Sequence, residues 1–164
     1  MPCVIVIISE RQWSLRATHL ACAMARSLGT GVKLVKMVAA PTPYHLGASY
    51  ILPDENDPDM VALPELLATA EEYGVAAEVV YLHYASYVGG LASGAEQLEA
   101  LAVFAPSPSR APAFWRRFRR WQMARALTVP FYTLDPDQKV VLPIITAEAA
   151  ATDAINVPRL ASRS

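Results

Sequence analysis

Residues 4–8 read VIVII, five consecutive apolar residues near the start of a 164-residue chain. A run this short and this apolar is typical of a parallel strand that helices cover on both faces. Residues 101–105, which read LAVFA, have the same character, and strand-like and helix-like stretches alternate between the two runs. This order predicts an α/β fold with an open sheet of five mostly parallel strands, right-handed crossovers and helices on both faces.

The other predicted elements follow from periodicity and from glycine and proline. A helix rich in alanine begins after Ser14, the expected N-cap, and ends at Gly29, the expected C-terminal cap. Residues 39–63 contain several prolines and no sustained period, which predicts a long loop or a loop with a short helical turn. The remaining strands are predicted over 32–38, 79–84 and 129–134, and the remaining helices from Pro64, Gly89 and Pro112.

The predicted α/β domain covers residues 1–134, and residues 135–164 are expected to form a tail. A turn signal at 135–137 precedes one more strand candidate over 140–145, after which the chain is expected to fray. The last strand of the domain should lie at or near a sheet edge, and an apolar edge has to be paired or covered. The strand candidate over 140–145 can fold back on the last strand of its own chain or cross to that of a partner. We expect a homodimer held through the last strand and the tail, with pairing that weakens or ends near Pro143.

Composition excludes several protein classes. The residues AVILMFWYC make up 54% of the chain and charged residues 18%, which is too apolar for intrinsic disorder, and no run approaches the roughly 18 apolar residues of a membrane span. Cys3 and Cys22 are too few for a disulfide framework, and the first apolar run is too short for a secretory signal. We therefore expect a cytoplasmic protein whose two cysteines are inert core residues.

The net charge of -1 indicates no partner, but charge is unevenly distributed. Between Met37 and Ser109 the chain carries ten acids and no Lys or Arg, whereas from Arg110 to Arg125 it carries six arginines and no acid. The molecule should therefore present charged surfaces of opposite sign.

Aromatic residues interleave with arginines in the helix predicted after Pro112. Phe114, Phe118 and Trp121 share one helical face, and we expect this face to pack on the sheet while the arginines flank it. One interpretation is an ordinary amphipathic helix with a solvated basic side; the other is a contact surface for an acidic protein partner, a phosphate ligand or nucleic acid. The residues expected to form that interaction surface are Trp115, Arg116, Arg117 and Arg120.

The order of these elements, closing with MARALTVPFY at residues 123–132, resembles the universal stress protein family over roughly residues 3–134. Members similarly open with a hydrophobic strand and an alanine-rich helix, and close with a helix, a proline and an apolar last strand. The resemblance implies an open α/β fold and dimerisation through the last strand.

The nucleotide-binding branch of that family carries an Asp after the first strand and a Gly-x-x-Gly with a later Gly-Ser or Gly-Thr after the fourth. This chain has Ser9 at the first position, and its residues 105–112 contain three prolines and no glycine. Proline supplies no N–H, and a Cβ obstructs the positive φ that a phosphate cradle needs. We therefore expect a non-catalytic regulatory or stress-response module that does not bind ATP in the usual mode and carries no cofactor.

A second interpretation keeps the cleft as a binding site for a nucleotide or small anion, or as an enzyme site, because ligands bind at the carboxyl ends of strands in open α/β sheets. The candidate binding residues are Ser9, Arg11, His83, Ser107, Ser109 and Arg110. No Ser, His and acid have the spacing of a nucleophilic site, so no catalytic residue is expected. His19 and Cys22 do not complete a metal site, and residues 54–59 lack the glycine of a calcium loop and are expected to be solvated.

Overall fold

The computed structural model describes residues 1–40, 47–49, 57–106, 112–134 and 141–144, the short stretches 47–49 and 141–144 as backbone only. The strands in these ranges are β1 (Cys3–Ile7), β2 (Gly31–Ala39), β3 (Gly47–Ser49), β4 (Ala77–Tyr84), β5 (Ala100–Phe104), β6 (Phe131–Leu134) and β7 (Val141–Ile144). The helices are α1 (Arg11–Leu28), α2 (Leu63–Glu72), α3 (Tyr87–Gln97) and α4 (Ala113–Ala126), with a 3-10 turn at Pro58–Met60.

All these strands belong to one sheet in the order β3-β4-β2-β1-β5-β6-β7. The five central strands are parallel, which confirms the predicted fold class. The outer strands β3 and β7 pair antiparallel with β4 and β6. The short β3 lies inside the predicted loop 39–63 and was not predicted, because three residues carry too little periodicity to show a strand.

Helices cover both faces of the sheet. Val4 and Val6 of β1 belong to the core under α1 and α2, and Ile5 and Ile7 belong to the core under α3 and α4. The alternating side chains of one continuous apolar run therefore fill both layers. Helix α1 lies close to the sheet because its buried residues are small, namely Ser14, Ala17, Thr18, Ala21, Cys22 and Ala25. In the ranges given above, no helix is both long enough and apolar enough to cross a membrane.

The start of α1 differs from the prediction, whereas its end agrees. The helix begins at Arg11, with Glu10 at the N-cap position, so Ser14 lies inside the helix. The Ser14 hydroxyl accepts a hydrogen bond from the Ser9 N–H (2.9 Å) and donates one to the Ser9 carbonyl (3.0 Å). Ser14 thus ties the helix to the end of β1 instead of capping it. Gly29 has φ 65° and closes the helix in the left-handed conformation that glycine favours.

Pro143 does not interrupt the pairing of β7. The ladder pairs Tyr132 with Pro143 and continues to Ile144. Because the Tyr132 carbonyl accepts from the N–H of Ala105, the residue after β5 (3.1 Å), the Tyr132 backbone groups face β5 and not β7. The Tyr132–Pro143 pair therefore exchanges no hydrogen bonds, and the missing N–H of Pro143 falls on the side of β7 that faces away from β6. The described ladder ends at Ile144, one residue beyond Pro143 and so near where pairing was expected to end. The expected cause was wrong, because the missing N–H points away from β6.

Candidate functional site

The carboxyl ends of the parallel strands meet at one edge of the sheet, where α1, α3 and α4 also begin. Ser9 and Arg11 follow β1 at this edge, and His83 lies near the end of β4. The other three predicted binding residues are Ser107, Ser109 and Arg110, and they lie outside the described residues. The sheet order separates β1 from β4 by the intervening β2, so Ser9 and His83 do not share one cluster.

Ser9 and Arg11 already have partners within the protein. The Ser9 N–H and carbonyl both bond to the Ser14 hydroxyl. The Arg11 guanidinium forms a two-pronged ion pair with Glu65 in the first turn of α2, with distances of 2.5 Å from Nη2 to Oε1 and 3.1 Å from Nε to Oε2. This hydrogen bonding, with the charge of Glu65, raises the pKa of Arg11. A ligand at the end of β1 would have to compete with these contacts for either group.

His83 lines a pocket of about 340 Å³. The pocket lies beside the end of β4 and the face of α3 that carries Gly89, Ser93 and Gln97. The volume lies at the lower end of the range typical of small-molecule sites. The residues found in its lining are Leu82, His83, Tyr84, Ala85, Ser86, Gly89, Gly90, Ser93 and Gln97. This described lining offers hydrogen-bonding groups but no Lys, Arg, Asp or Glu, so it suits an uncharged ligand better than a phosphate.

Two glycines bring α3 close enough to β4 to shape this pocket. A Cβ at Gly90 would overlap the Cβ of Tyr84, and a Cβ at Gly94 would overlap a terminal methyl of Leu82. The glycine pair on one helical face lets α3 lie directly on the strand. The prediction of a site at this edge included His83 but missed Ser86, Ser93 and Gln97. The spacing of Gly89, Ser93 and Gln97 along one face of a helix is the signal that could have found them.

Tyr87 opens α3 beside the pocket and is held in its neutral form. Its ring meets that of Tyr84 edge to face, with 5.7 Å between the centroids. Burial, assisted by Tyr84 and opposed by Arg119, raises the pKa of Tyr87 to about 12. The Tyr87 phenol therefore keeps its proton across the physiological pH range.

Solved structures share this arrangement of strands and helices. The universal stress protein from Archaeoglobus fulgidus aligns with a TM-score of 0.57 at 15% identity, over 82% of this chain and 93% of that one. The fold is that of the universal stress proteins. A universal stress protein solved in complex with cAMP aligns at 0.54 and 14% identity, over 80% of this chain and 96% of that one. The Archaeoglobus fulgidus protein in complex with dAMP also aligns at 0.54, with 13% identity, over 82% and 98% of the two chains.

These likenesses are structural. No protein-family model matches the chain, and no curated protein matches it in sequence. The structural resemblance to universal stress proteins confirms the fold expected from the order of elements.

The structure places α4 differently from the sequence prediction. Met123 and Leu127 are the residues of this segment that are buried against the sheet, with Arg116 and Arg120 half-buried on the same side. The prediction that Phe114, Phe118 and Trp121 pack on the sheet was wrong, because all three are exposed. Only one stripe of a helix can face the core, and the stripe of Met123 and Leu127 lies on the opposite side from the aromatic stripe. Of the predicted interaction residues, Trp115 and Arg117 are exposed at the surface.

The acidic loop is also different from the expectation of solvated carboxylates. Asp57 and Asp59 hold the Lys36 ammonium of β2, at 3.0 Å and 2.5 Å from Nζ. Burial lowers the pKa of Lys36, but the hydrogen bonds and charges of Asp59 and Asp57 raise it by more than burial lowers it. The net shift of this pKa is upward. The described part of this loop is therefore pinned to the sheet by an ion pair.

Both cysteines are buried, as predicted. Cys3 donates a hydrogen bond from Sγ to the Leu98 carbonyl (3.2 Å), and burial raises the pKa of Cys22 to about 11. Both thiols stay protonated at neutral pH, and a protonated thiol is a poor nucleophile. In the part of the chain that the structure describes, no group of three or more His, Cys, Asp and Glu side chains could hold a metal ion.

Proposed function

We propose that this chain is a member of the universal stress protein family that acts as a non-catalytic regulatory module of the cytoplasm. Its cleft takes a small uncharged molecule in the pocket at the end of β4 and does not take ATP in the mode usual for the family. The single observation that carries this proposal is the composition of the pocket: its described lining holds His83, Ser86, Ser93 and Gln97 but no Lys or Arg.

A triphosphate needs converging N–H groups or cations, and the neighbourhood of β1 offers few that are available. The Ser9 N–H is bound to Ser14, and the Arg11 guanidinium is bound to Glu65. After β5, the sequence 105–112 lacks glycine and includes three prolines, which cannot donate N–H groups. Two of the similar structures hold cAMP and dAMP, so the fold admits nucleotides elsewhere in the family. In this chain the residues favour a ligand recognised by hydrogen bonds and ring contacts.

We expect no binding of ATP with magnesium in calorimetry at tens of micromolar protein. An affinity of about 1 μM needs roughly 8 kcal/mol of binding free energy. The glycines of the usual phosphate cradle, which supplies much of it, do not occur in residues 105–112. A clear micromolar isotherm would contradict the proposal and favour the alternative of a nucleotide-binding protein or enzyme that uses Ser107, Ser109 and Arg110.

A second experiment tests the pocket. Native mass spectrometry of the purified protein should show a retained small molecule, and Ser93→Phe should lose it because the larger side chain occupies the pocket. Ser27→Phe is the matched control, since Ser27 is also an exposed helical serine and lies on α1, on the other face of the sheet. Equal loss in both variants would remove the pocket from the proposal.

We also propose that the chain forms a homodimer through its last strands. β7 covers β6 within one chain, so a partner would join at the side of β7 that faces away from β6 or exchange this strand. Light scattering should give a dimer for the full chain and a smaller species after deletion of residues 136–164. A dimer that survives the deletion removes the tail from the interface, and a monomeric full chain refutes the dimer.

A further inference from the structure

Helix α4 presents a continuous row of exposed aromatic rings. Phe114, Trp115, Phe118 and Trp121 expose 65%, 47%, 45% and 53% of their surface. Consecutive rings touch, with centroid separations of 5.2 Å, 5.8 Å and 5.8 Å along the row. Solvent-exposed Phe and Trp side chains that form one contiguous patch mark an interaction site rather than ordinary surface.

Arginines border this aromatic row. Arg117 and Arg119 are exposed and lie two positions apart on the helix, which places them about 200° apart and so on opposite flanks. Arg125 lies over the Trp121 ring, 5.4 Å from its centroid. No acid occurs anywhere from residue 100 to residue 134, so nothing in this segment neutralises these charges.

We propose that the exposed face of α4 binds an anionic membrane surface, with the aromatic row in the headgroup region and the flanking arginines on lipid phosphates. Exposed aromatic rings with an arginine on each flank are typical of a helix that lies in the plane of the interface. The helix has 14 residues. Its length of about 21 Å is less than the ~30 Å hydrocarbon core, so it can lie on a membrane but not span one.

Other occupants fit the surface less well. A second copy docked through α4 would bring two arginine-rich helices together without compensating acids. Single-stranded nucleic acid needs free ring faces for base stacking. Trp121 already stacks with Phe118 and carries Arg125 over its ring, so its faces are engaged. An acidic protein could satisfy the arginines, but the unbroken row of rings is better matched by a fluid apolar layer than by an acidic surface.

The test is flotation of the full chain with vesicles of phosphatidylcholine alone or mixed with phosphatidylserine. We expect binding to the mixed vesicles only, with a blue shift of tryptophan fluorescence and weakening as salt rises. Arg117→Gln with Arg119→Gln should reduce partitioning roughly 25-fold, at about fivefold for each arginine near an anionic surface. Trp115→Ser with Phe118→Ser should abolish the blue shift.

The control is Arg16→Gln with Arg26→Gln, which removes the same charge from exposed positions on α1, on the other face of the sheet. It should bind like the parent chain, and far-UV circular dichroism should show all variants folded. The proposal is overturned by equal binding to both kinds of vesicle, by an equal loss in the α1 control, or by absence of vesicle binding. Capture of an oligonucleotide or an acidic peptide without vesicle binding overturns it too and assigns α4 to that partner.

Discussion

Replacing Gly90 with alanine is expected to destabilise the protein by about 1–3 kcal/mol, the usual effect of forcing an extra methyl into a packed interface. The new Cβ would overlap the Cβ of Tyr84, which cannot move without shifting strand β4. Gly94→Ala should have a smaller effect, because its Cβ meets the terminal methyl of Leu82, and a change of rotamer can relieve that contact.

Gly89→Ala is the matched control on the same helix. A Cβ at Gly89 would lie 3.8 Å from its nearest neighbours, the Cβ and Oγ of Ser86, which is ordinary contact. Because alanine favours a helix more than glycine does, this variant should be unchanged or up to about 1 kcal/mol more stable. Urea denaturation of the three variants measures the order. Equal stabilities for Gly90→Ala and Gly89→Ala would show that α3 does not lie against β4 as described.

Replacing Asp57 and Asp59 together with asparagine is expected to lower the free energy of unfolding by about 1–3 kcal/mol. The Lys36 side chain is only 12% exposed, and its ammonium would lose both negative partners. Breaking a buried ion pair by removing one side leaves an uncompensated charge, although the partial exposure of both carboxylates moderates the effect here. Adding Lys36→Met should recover much of the loss, since no charge then remains to be compensated.

Urea denaturation of the parent, the two-aspartate variant and the three-residue variant forms the cycle that measures this coupling. Unchanged stability in the two-aspartate variant would mean that water, and not Asp57 and Asp59, solvates Lys36. The pH dependence gives an independent check. The pKa of Lys36 is raised in the folded protein, so the stabilisation is complete below the ordinary lysine pKa and is lost as pH rises through the raised value. This alkaline loss should shrink when Asp57 and Asp59 are replaced.

The candidate site was predictable only in part. The carboxyl edge of a parallel sheet follows from the order of strands, so a position such as His83 could be placed there from sequence alone. The pocket itself depends on how closely α3 approaches β4, which is a distance between two packed elements. For Arg11 the predicted position was correct, but the predicted binding role was not supported. This residue lies at the carboxyl edge of the sheet, where its guanidinium is bound to Glu65, 54 positions further along the chain.

The sequence by itself determined the sheet of parallel strands and the C-terminal ends of α1 and α2. A continuous apolar run such as residues 4–8 is stable only when both of its faces are covered, and a glycine with positive φ, as at Gly29 and Gly74, ends a helix through local backbone geometry. Tertiary structure alone decided which side of α4 faces the core, which lysine the acidic loop holds, and that Pro143 is tolerated in β7. Each of these depends on a contact with another element. Met123 packs on the sheet surface, the acidic loop lies beside β2, and the bond between Ala105 and Tyr132 sets which groups of β6 face β7. Local periodicity carries no information about such partners.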